Sequence, residues 1–253
     1  ELHRKLLALG VSHVATGHYA RIDVDGSSGR RLLFRPRDRS KDQTYVLYRL
    51  TQSQLARTMF PLGGMTKPEV RAVARSMELE TAEDPESQDV CFVPQGRYRD
   101  FLIHERPTLG APGPIISPEG TIIGEHTGTA MYTVGQRRGL GRLRGKHDGP
   151  MYVIEIRPDS NTIVAGPKEH LYSTEFQAEQ VNFIPFDVLE DEMEAQVQIR
   201  YKSAPAKARL TPTADGNVRV KFASPQRAIT PGQSGVFYSG DLLVGGGIIA
   251  SPR

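Results

Sequence analysis

From Met151 to the carboxyl end the sequence breaks into eight short runs of alternating apolar and polar residues. They are MYVIEI, TIVAG, FQAEQVNFI, EAQVQIRY, AKARLT, VRVKF, GVFYSG and LLVGGGIIA, each set off by turn residues. A strand that alternates in this way buries one face only, and a row of short strands leaves exposed edges unless it closes on itself. The pattern over 150–253 therefore predicts a small, closed, all-β barrel. The 25 glycines and 18 prolines among 253 residues fit many turns and short strands better than a helical bundle.

The first part of the chain is organised differently. Residues 1–92 read as α/β. The opening ELHRKLLALG has the form of the end of an amphipathic helix, with Leu2, Leu6 and Leu9 on one side and Gly10 as its stop. Because the chain opens on Glu1, inside that helix, it is expected to be a fragment of a longer protein. VSHVA (11–15) is a short apolar strand followed by the loop TGH (16–18). YARIDV and RRLLFR form a hairpin around DGSSG (25–29). Thr51 with Gln54, and Thr66 with Glu69, are capping-box starts of helices. In the second helix Val70, Val73, Ala74 and Met77 keep the spacing of a buried face. Residues 93–149 form a smaller central segment, with a helix at GRYRDFL (96–102), a hairpin at IISPEGTII and the loop GQRRGLGRLRGKH. Three domains are expected, over 1–92, 93–149 and 150–253.

Composition excludes several classes of protein. No stretch approaches the roughly 20 apolar residues of a membrane helix, so no membrane partner is expected. Nothing at the amino terminus has the form of a secretory signal, which makes the cytoplasm the expected compartment. A single cysteine, Cys91, rules out an internal disulfide framework and a thiolate-rich zinc site, and no metal ligands are assigned. The net charge of +3 identifies no partner by itself; clustering of charge does. No acid occurs from His126 to His147, where Arg137, Arg138, Arg142, Arg144 and Lys146 alternate with glycines. A second acid-free run, Gln196–Ala214, holds Arg200, Tyr201, Lys202, Lys207 and Arg209. Arginine forks and an exposed aromatic suit phosphates and bases, and a solvated basic face fits the same residues.

Three further places could carry chemistry. Gly17, after an apolar strand, lets the backbone approach a nucleotide where an open α/β sheet binds its ligands, and a plain turn is the alternative. Lys41, Asp42 and Gln43 place a cation, an anion and an amide side by side, suited to a phosphate and a base edge or to a solvated turn. Cys91, between Val90 and Phe92, reads either as a buried apolar residue or as a thiol activated by Arg97 and Arg99.

Taken together, ATGHYAR (15–21), KDQTYVLYRL (41–50), FPLGGMTKPEVR (60–71), PESQDVCFV (85–93), GEHTGTAMYTVGQRRGLG (124–141), RYK (200–202), TPGQSGVFY (230–238) and LLVGGGII (242–249) closely resemble the bacterial tRNA-specific 2-thiouridylase family. The resemblance covers essentially the whole chain. It implies the carboxyl-terminal part of an ATP-pyrophosphatase domain of the adenine-nucleotide alpha-hydrolase type, then a small central domain and a barrel. It also implies an enzyme, a sulfurtransferase that uses ATP, with magnesium as its counter-ion, to replace the C2 oxygen of the wobble uridine of tRNA by sulfur.

By the same resemblance Gly17 matches an ATP contact. His18, Lys41, Asp42, Gln43, Arg200, Tyr201 and Gln233 match tRNA contacts. Cys91 matches the catalytic cysteine that carries sulfur as a persulfide loaded by a donor protein. Two features of the family are missing from these residues: the glycine/serine pyrophosphate loop and a second active-site cysteine. Both precede the TGHY motif in the family, which agrees with an amino-terminal truncation, and such a fragment is expected to be inactive alone. The alternatives are a non-catalytic RNA-binding remnant of such an enzyme, and an ATP-pyrophosphatase that amidates a small metabolite.

Overall fold

The computed structural model describes residues 10–84, 98–145 and 149–250. The expected opening helix, PESQDVCFV with its Cys91, and Lys146 lie outside the described residues. The chain divides into two compact units, one made of 1–85, 175–224 and 231–253, the other of 86–174 and 225–230.

The first unit begins with β1 (Val14–Ala15), a hairpin of β2 (Arg21–Val24) and β3 (Arg31–Phe34), and two single-turn helices, α1 (Thr44–Leu47) and α2 (Gln52–Leu55). β4 (Thr58–Met59) then lies parallel to β1, and α3 (Lys67–Ser76) follows. The hairpin forms as expected, with Val24 opposite Arg31. Its turn is held by Asp25, whose carboxylate accepts from the Ser27 and Ser28 hydroxyls and is drawn down to about pKa 2 by them. The capping box at Thr51 is complete. Its hydroxyl accepts from Gln54 N at 3.4 Å, and the Gln54 side chain accepts from Thr51 N at 2.9 Å. At Thr66 the Glu69 carboxylate accepts the Thr66 N–H at 2.7 Å.

The helix α3 is present, but its apolar face is not buried: Val73 is 46% and Met77 64% exposed. Periodicity marks an apolar stripe, whereas burial needs a partner surface. Among the described residues the parallel sheet of this region has two strands of two residues each, too small to cover a helix.

The second unit holds α4 (Tyr98–Glu105), β5 (Gly113–Ile116), β6 (Ile122–His126), β7 (Tyr152–Arg157) and β8 (Thr162–Gly166), with sheet order β6-β5-β8-β7. The runs MYVIEI and TIVAG thus pair here and not in the barrel, because β8 finds a parallel partner in β5, with Ile115 opposite Ile163. Local alternation cannot distinguish a barrel strand from a strand whose partner lies far away in sequence.

The six later runs close as expected. β9 (Tyr172–Phe183), β10 (Met193–Gln198), β11 (Ala206–Pro212), β12 (Val218–Arg227), β13 (Ser234–Ser239) and β14 (Leu242–Ile249) run in the order β13-β10-β11-β12-β9-β14, and β14 pairs back to β13. The β2–β3 hairpin adds to β14, with Leu243 opposite Leu33. Leu33, Tyr48, Leu55, Ile184, Val236, Tyr238 and Leu243 share one apolar core, so the amino-terminal segment and the barrel are one packed body. Glycines in the LLVGGGII run permit this contact. A Cβ on Gly246 would stand 2.8 Å from the Tyr48 ring.

Candidate functional site

The TGHY loop leaves the carboxyl end of β1, the edge where parallel α/β sheets present ligands. Thr16 N donates to Met59 O at 3.0 Å, which holds the loop against β4. Gly17 is exposed, and a Cβ there would meet only Leu62 Cδ1 at 3.8 Å, so its backbone flank is open. His18 Nδ1 lies 3.0 Å from the Thr16 hydroxyl, and its ring meets Phe60 edge-on at 6.2 Å. The FPLGG turn closes beneath this loop, and only glycine fits at Gly63, where a Cβ would fall 1.8 Å from Ala20 O.

A brace ties the loop to the KDQ triplet. The Gln43 side-chain oxygen accepts from Tyr19 N at 2.9 Å, and Gln43 N donates to Tyr19 O at 3.3 Å. Asp42 is equally engaged. One carboxylate oxygen accepts from Thr44 N at 2.9 Å and from the Thr44 hydroxyl at 2.6 Å, and the other meets Arg35. The side chains of this ion pair are 14% (Arg35) and 13% (Asp42) exposed. Arg35 also stacks on Tyr238, its guanidinium carbon 3.7 Å from the ring centroid. Tyr238 is fully buried, and its hydroxyl lies 3.2 Å from Thr44 Oγ1. Burial pushes that phenol up to about 12, the Thr44 hydrogen bond offsetting part of the rise. Lys41 sits in the same short turn, its N–H donating to Asp38 O at 3.1 Å.

The barrel brings the other expected residues to this place. The turn after β10 carries Arg200, Tyr201 and Lys202. It is fastened at the Arg200 carbonyl, which accepts from Gln198 Nε2 (2.9 Å), Ser203 N (3.1 Å) and the Ser203 hydroxyl (2.9 Å). Lys202 takes the left-handed conformation, φ 65°, uncommon for a residue with a side chain. Tyr201 is 45% exposed, with its ring 6.0 Å from that of Tyr45 and the Lys202 ammonium 5.6 Å from its centroid. Tyr45 in turn donates its hydroxyl to Ser234 O at 2.8 Å, beside the exposed Gln233. A cleft of about 450 Å³ results, with Arg35, Arg39 and Asp42 on one wall and Tyr201, Lys202 and Ser203 on the other. Arg39 is committed to Asp241.

Of the expected residues of the first unit, Asp42 and Tyr201 line this cleft, Lys41, Gln43 and Arg200 adjoin its walls in sequence, and Gln233 is next in the chain to the Tyr45–Ser234 contact. Cys91 lies outside the described residues. Arg35 and Tyr45 had no role in the sequence reading. Tyr45 lies inside the KDQTYVLYRL motif, whereas nothing in the local sequence singles out Arg35 from its arginine-rich neighbours. In the second unit Arg137, Arg138 and Arg142 are exposed around the buried Leu140, and Tyr132 Oη donates to Gly139 O at 3.2 Å. Among the described residues no group of three or more His, Cys, Asp or Glu could hold a metal ion, and no helix is long and apolar enough to cross a membrane.

Three family models match the chain in succession: the tRNA methyl transferase HUP domain over 1–95, the tRNA methyl transferase PRC-barrel domain over 99–167 and the aminomethyltransferase beta-barrel domain over 173–249. The HUP domain is thus present, and the expectation that its pyrophosphate-loop portion is missing gains no support from the match. Among curated proteins, the tRNA-specific 2-thiouridylase MnmA of Heliobacterium modesticaldum is 49% identical over 98% of this chain and 64% of its own length. Those of Natranaerobius thermophilus and Carboxydothermus hydrogenoformans are 45% and 48% identical, each over 98% of this chain and 67% of their own length. With three domain models in the order of that architecture and identities of 45–49% along nearly all its residues, the chain belongs to the tRNA-specific 2-thiouridylase family.

Proposed function

We propose that this protein takes part in the ATP-dependent 2-thiolation of the wobble uridine of tRNA, in the cytoplasm, with a persulfide-bearing protein as its sulfur source. The observation that carries the reading is the convergence of two segments about 160 residues apart, 39–45 and 198–204, on one cleft. A half-exposed tyrosine beside a lysine offers a base a stacking surface and a phosphate a counter-charge. Asp42 and Gln43 serve as braces there, since protein donors occupy the Asp42 carboxylate and the Gln43 side-chain oxygen. Lys41, Arg200, Tyr201 and Gln233 are then the residues that meet the RNA.

The chemistry follows from the leaving group. The C2 oxygen of uridine attacks the α-phosphorus of ATP, pyrophosphate departs, and the base carries an O-adenylate. The terminal sulfur of the Cys91 persulfide then bonds to C2, and AMP leaves with the former C2 oxygen. A second thiol, from outside these residues, attacks the Cys91 sulfur, forms a disulfide with it and releases the 2-thiouridine. ATP is a substrate in this scheme, and its magnesium travels with the phosphates. The open flank of Gly17 at the β1 edge fits a nucleotide laid against the backbone. Reaching C2 requires the uridine to leave its stack, which explains a wide RNA-binding surface.

The experiment is binding of an unmodified tRNA transcript to the protein and to Lys41→Ala and Tyr201→Ala variants over a salt series. Lys41→Ala should lower the slope of log K against log salt by roughly one unit. Tyr201→Ala should cost about 1–3 kcal/mol with the slope unchanged. Unaltered binding in both variants would remove the cleft from the RNA path and favour the small-metabolite alternative.

A further inference from the structure

We propose that the outer face of β10–β12 is a second RNA site, a phosphate track built from Lys207, Arg209 and Lys221; the inference rests on the tRNA reading above and extends it to residues which that reading does not use. β11 leaves the Arg200–Ser203 turn at Ala206, and Lys207 is its first fully outward side chain. Arg209 follows on the same face, about 7 Å further along the strand. That distance is close to the step between successive phosphates of a nucleic acid strand. In the β11–β12 ladder Arg209 stands directly opposite Lys221, and both are exposed.

Like charges directly opposite each other on neighbouring strands destabilise a sheet. Arg209 has a partial partner in Glu192, at 3.6 Å, whose other oxygen accepts from Thr211. Among the described residues the Lys207 and Lys221 side chains make no hydrogen bond or ion pair. The three cations border a trough of about 640 Å³ that crosses β10, β11 and β12 and reaches Ser239 and Gly240. Glu194, opposite Arg209, stands at its acidic border.

A face on which two lysines flank a weakly paired arginine, continuing from a turn carrying Arg200 and Lys202, is complementary to a polyanion. Two cations about 7 Å apart along β11, with a third across the ladder from the second, suit successive phosphates of an extended backbone better than a single anion. The track thus adds affinity without reading sequence, as phosphate contacts do.

The test compares the protein with the Lys207→Gln/Lys221→Gln double variant and with Glu194→Gln, using an unmodified tRNA transcript and, separately, polyglutamate. The double variant should bind the transcript roughly tenfold more weakly near 0.1 M salt, with the slope of log K against log salt lower by about 1.5. Glu194→Gln, which removes a repelling charge, should tighten binding and needs no loss of a side chain from the track. Unchanged affinity and slope in the double variant, or no tightening in Glu194→Gln, while the parent binds tRNA, would overturn the track and leave the proposed function standing. Loss of polyglutamate binding with transcript binding intact would assign the face to an acidic protein and overturn the RNA site. A parent protein that does not bind the transcript would overturn both readings.

Discussion

Asp42→Ala tests the brace that holds the Arg35–Asp42 wall of the cleft. Asp42 accepts two hydrogen bonds from Thr44 and pairs with Arg35, and both charged side chains are about seven-eighths removed from water. Removing one partner of a fully buried pair costs about 3–5 kcal/mol, mostly through the charge left behind. Arg35 keeps its stack on Tyr238 at 3.7 Å and retains some access to water. The expected loss is therefore about 2–3 kcal/mol. With a urea slope of about 2–3 kcal/mol/M, the midpoint should fall by about 1 M. The protein has no tryptophan and nine tyrosines, so tyrosine fluorescence with far-UV circular dichroism is the natural probe. Asp42→Asn, which keeps an oxygen for Thr44 but no charge for Arg35, should lose about half as much. A loss below about 0.5 kcal/mol for the alanine variant, the range of an ordinary surface substitution, would refute the brace.

Two other substitutions probe separate parts of the account. Gly17→Ala has space for its methyl group and no left-handed backbone to strain, so stability should stay within about 0.5 kcal/mol of the parent. Steady-state thiolation should show a raised KM for ATP with transcript binding unchanged, and equal loss of both would return Gly17 to the role of a turn. At alkaline pH, the Tyr238 phenol ionises in the unfolded chain near its ordinary value of 10.0 and in the folded protein at about 12. The folded state holds the proton longer, so stability should be full below pH 10 and fall as pH rises toward 12. Tyr238→Phe should flatten that fall in a urea series at several pH values; an equally steep fall would place its source elsewhere.

Elements defined by contacts close in sequence were legible from the residues alone. The DGSSG hairpin and the Thr51 and Thr66 caps depend on partners a few residues away, and each forms. The barrel was legible because a row of alternating runs must close or expose edges, although six of the eight runs, not all, form it. What was not legible depends on remote partners. TIVAG reads like any barrel strand until β5, some 48 residues earlier, is known to lie beside it. The apolar stripe of α3 could not reveal that nothing described covers it. At the cleft, motif resemblance drew Lys41, Asp42 and Gln43 as one triplet, but hydrogen bonding separates them, because Asp42 and Gln43 are turned to protein donors at Thr44, Arg35 and Tyr19. Arg35 shows the same limit, being one arginine among several in RLLFRPRDRS until Tyr238 and Asp42 close around it. Lys207 and Lys221 lie in separate strands, and the trough joins them only once β11 and β12 are paired.

The most direct test of sulfur transfer through Cys91 is the 2-thiouridine content of tRNA, measured by mass spectrometry of nucleosides from cells deleted for the gene and complemented with wild-type or Cys91→Ser protein. The exchange of sulfur for oxygen is nearly isosteric, yet serine cannot carry a sulfane sulfur. Wild-type protein should restore wobble 2-thiouridine, whereas the Cys91→Ser protein, present at equal level and still binding tRNA, should leave it at background. Restoration to wild-type level by Cys91→Ser, or no loss of 2-thiouridine on deletion, would contradict the account.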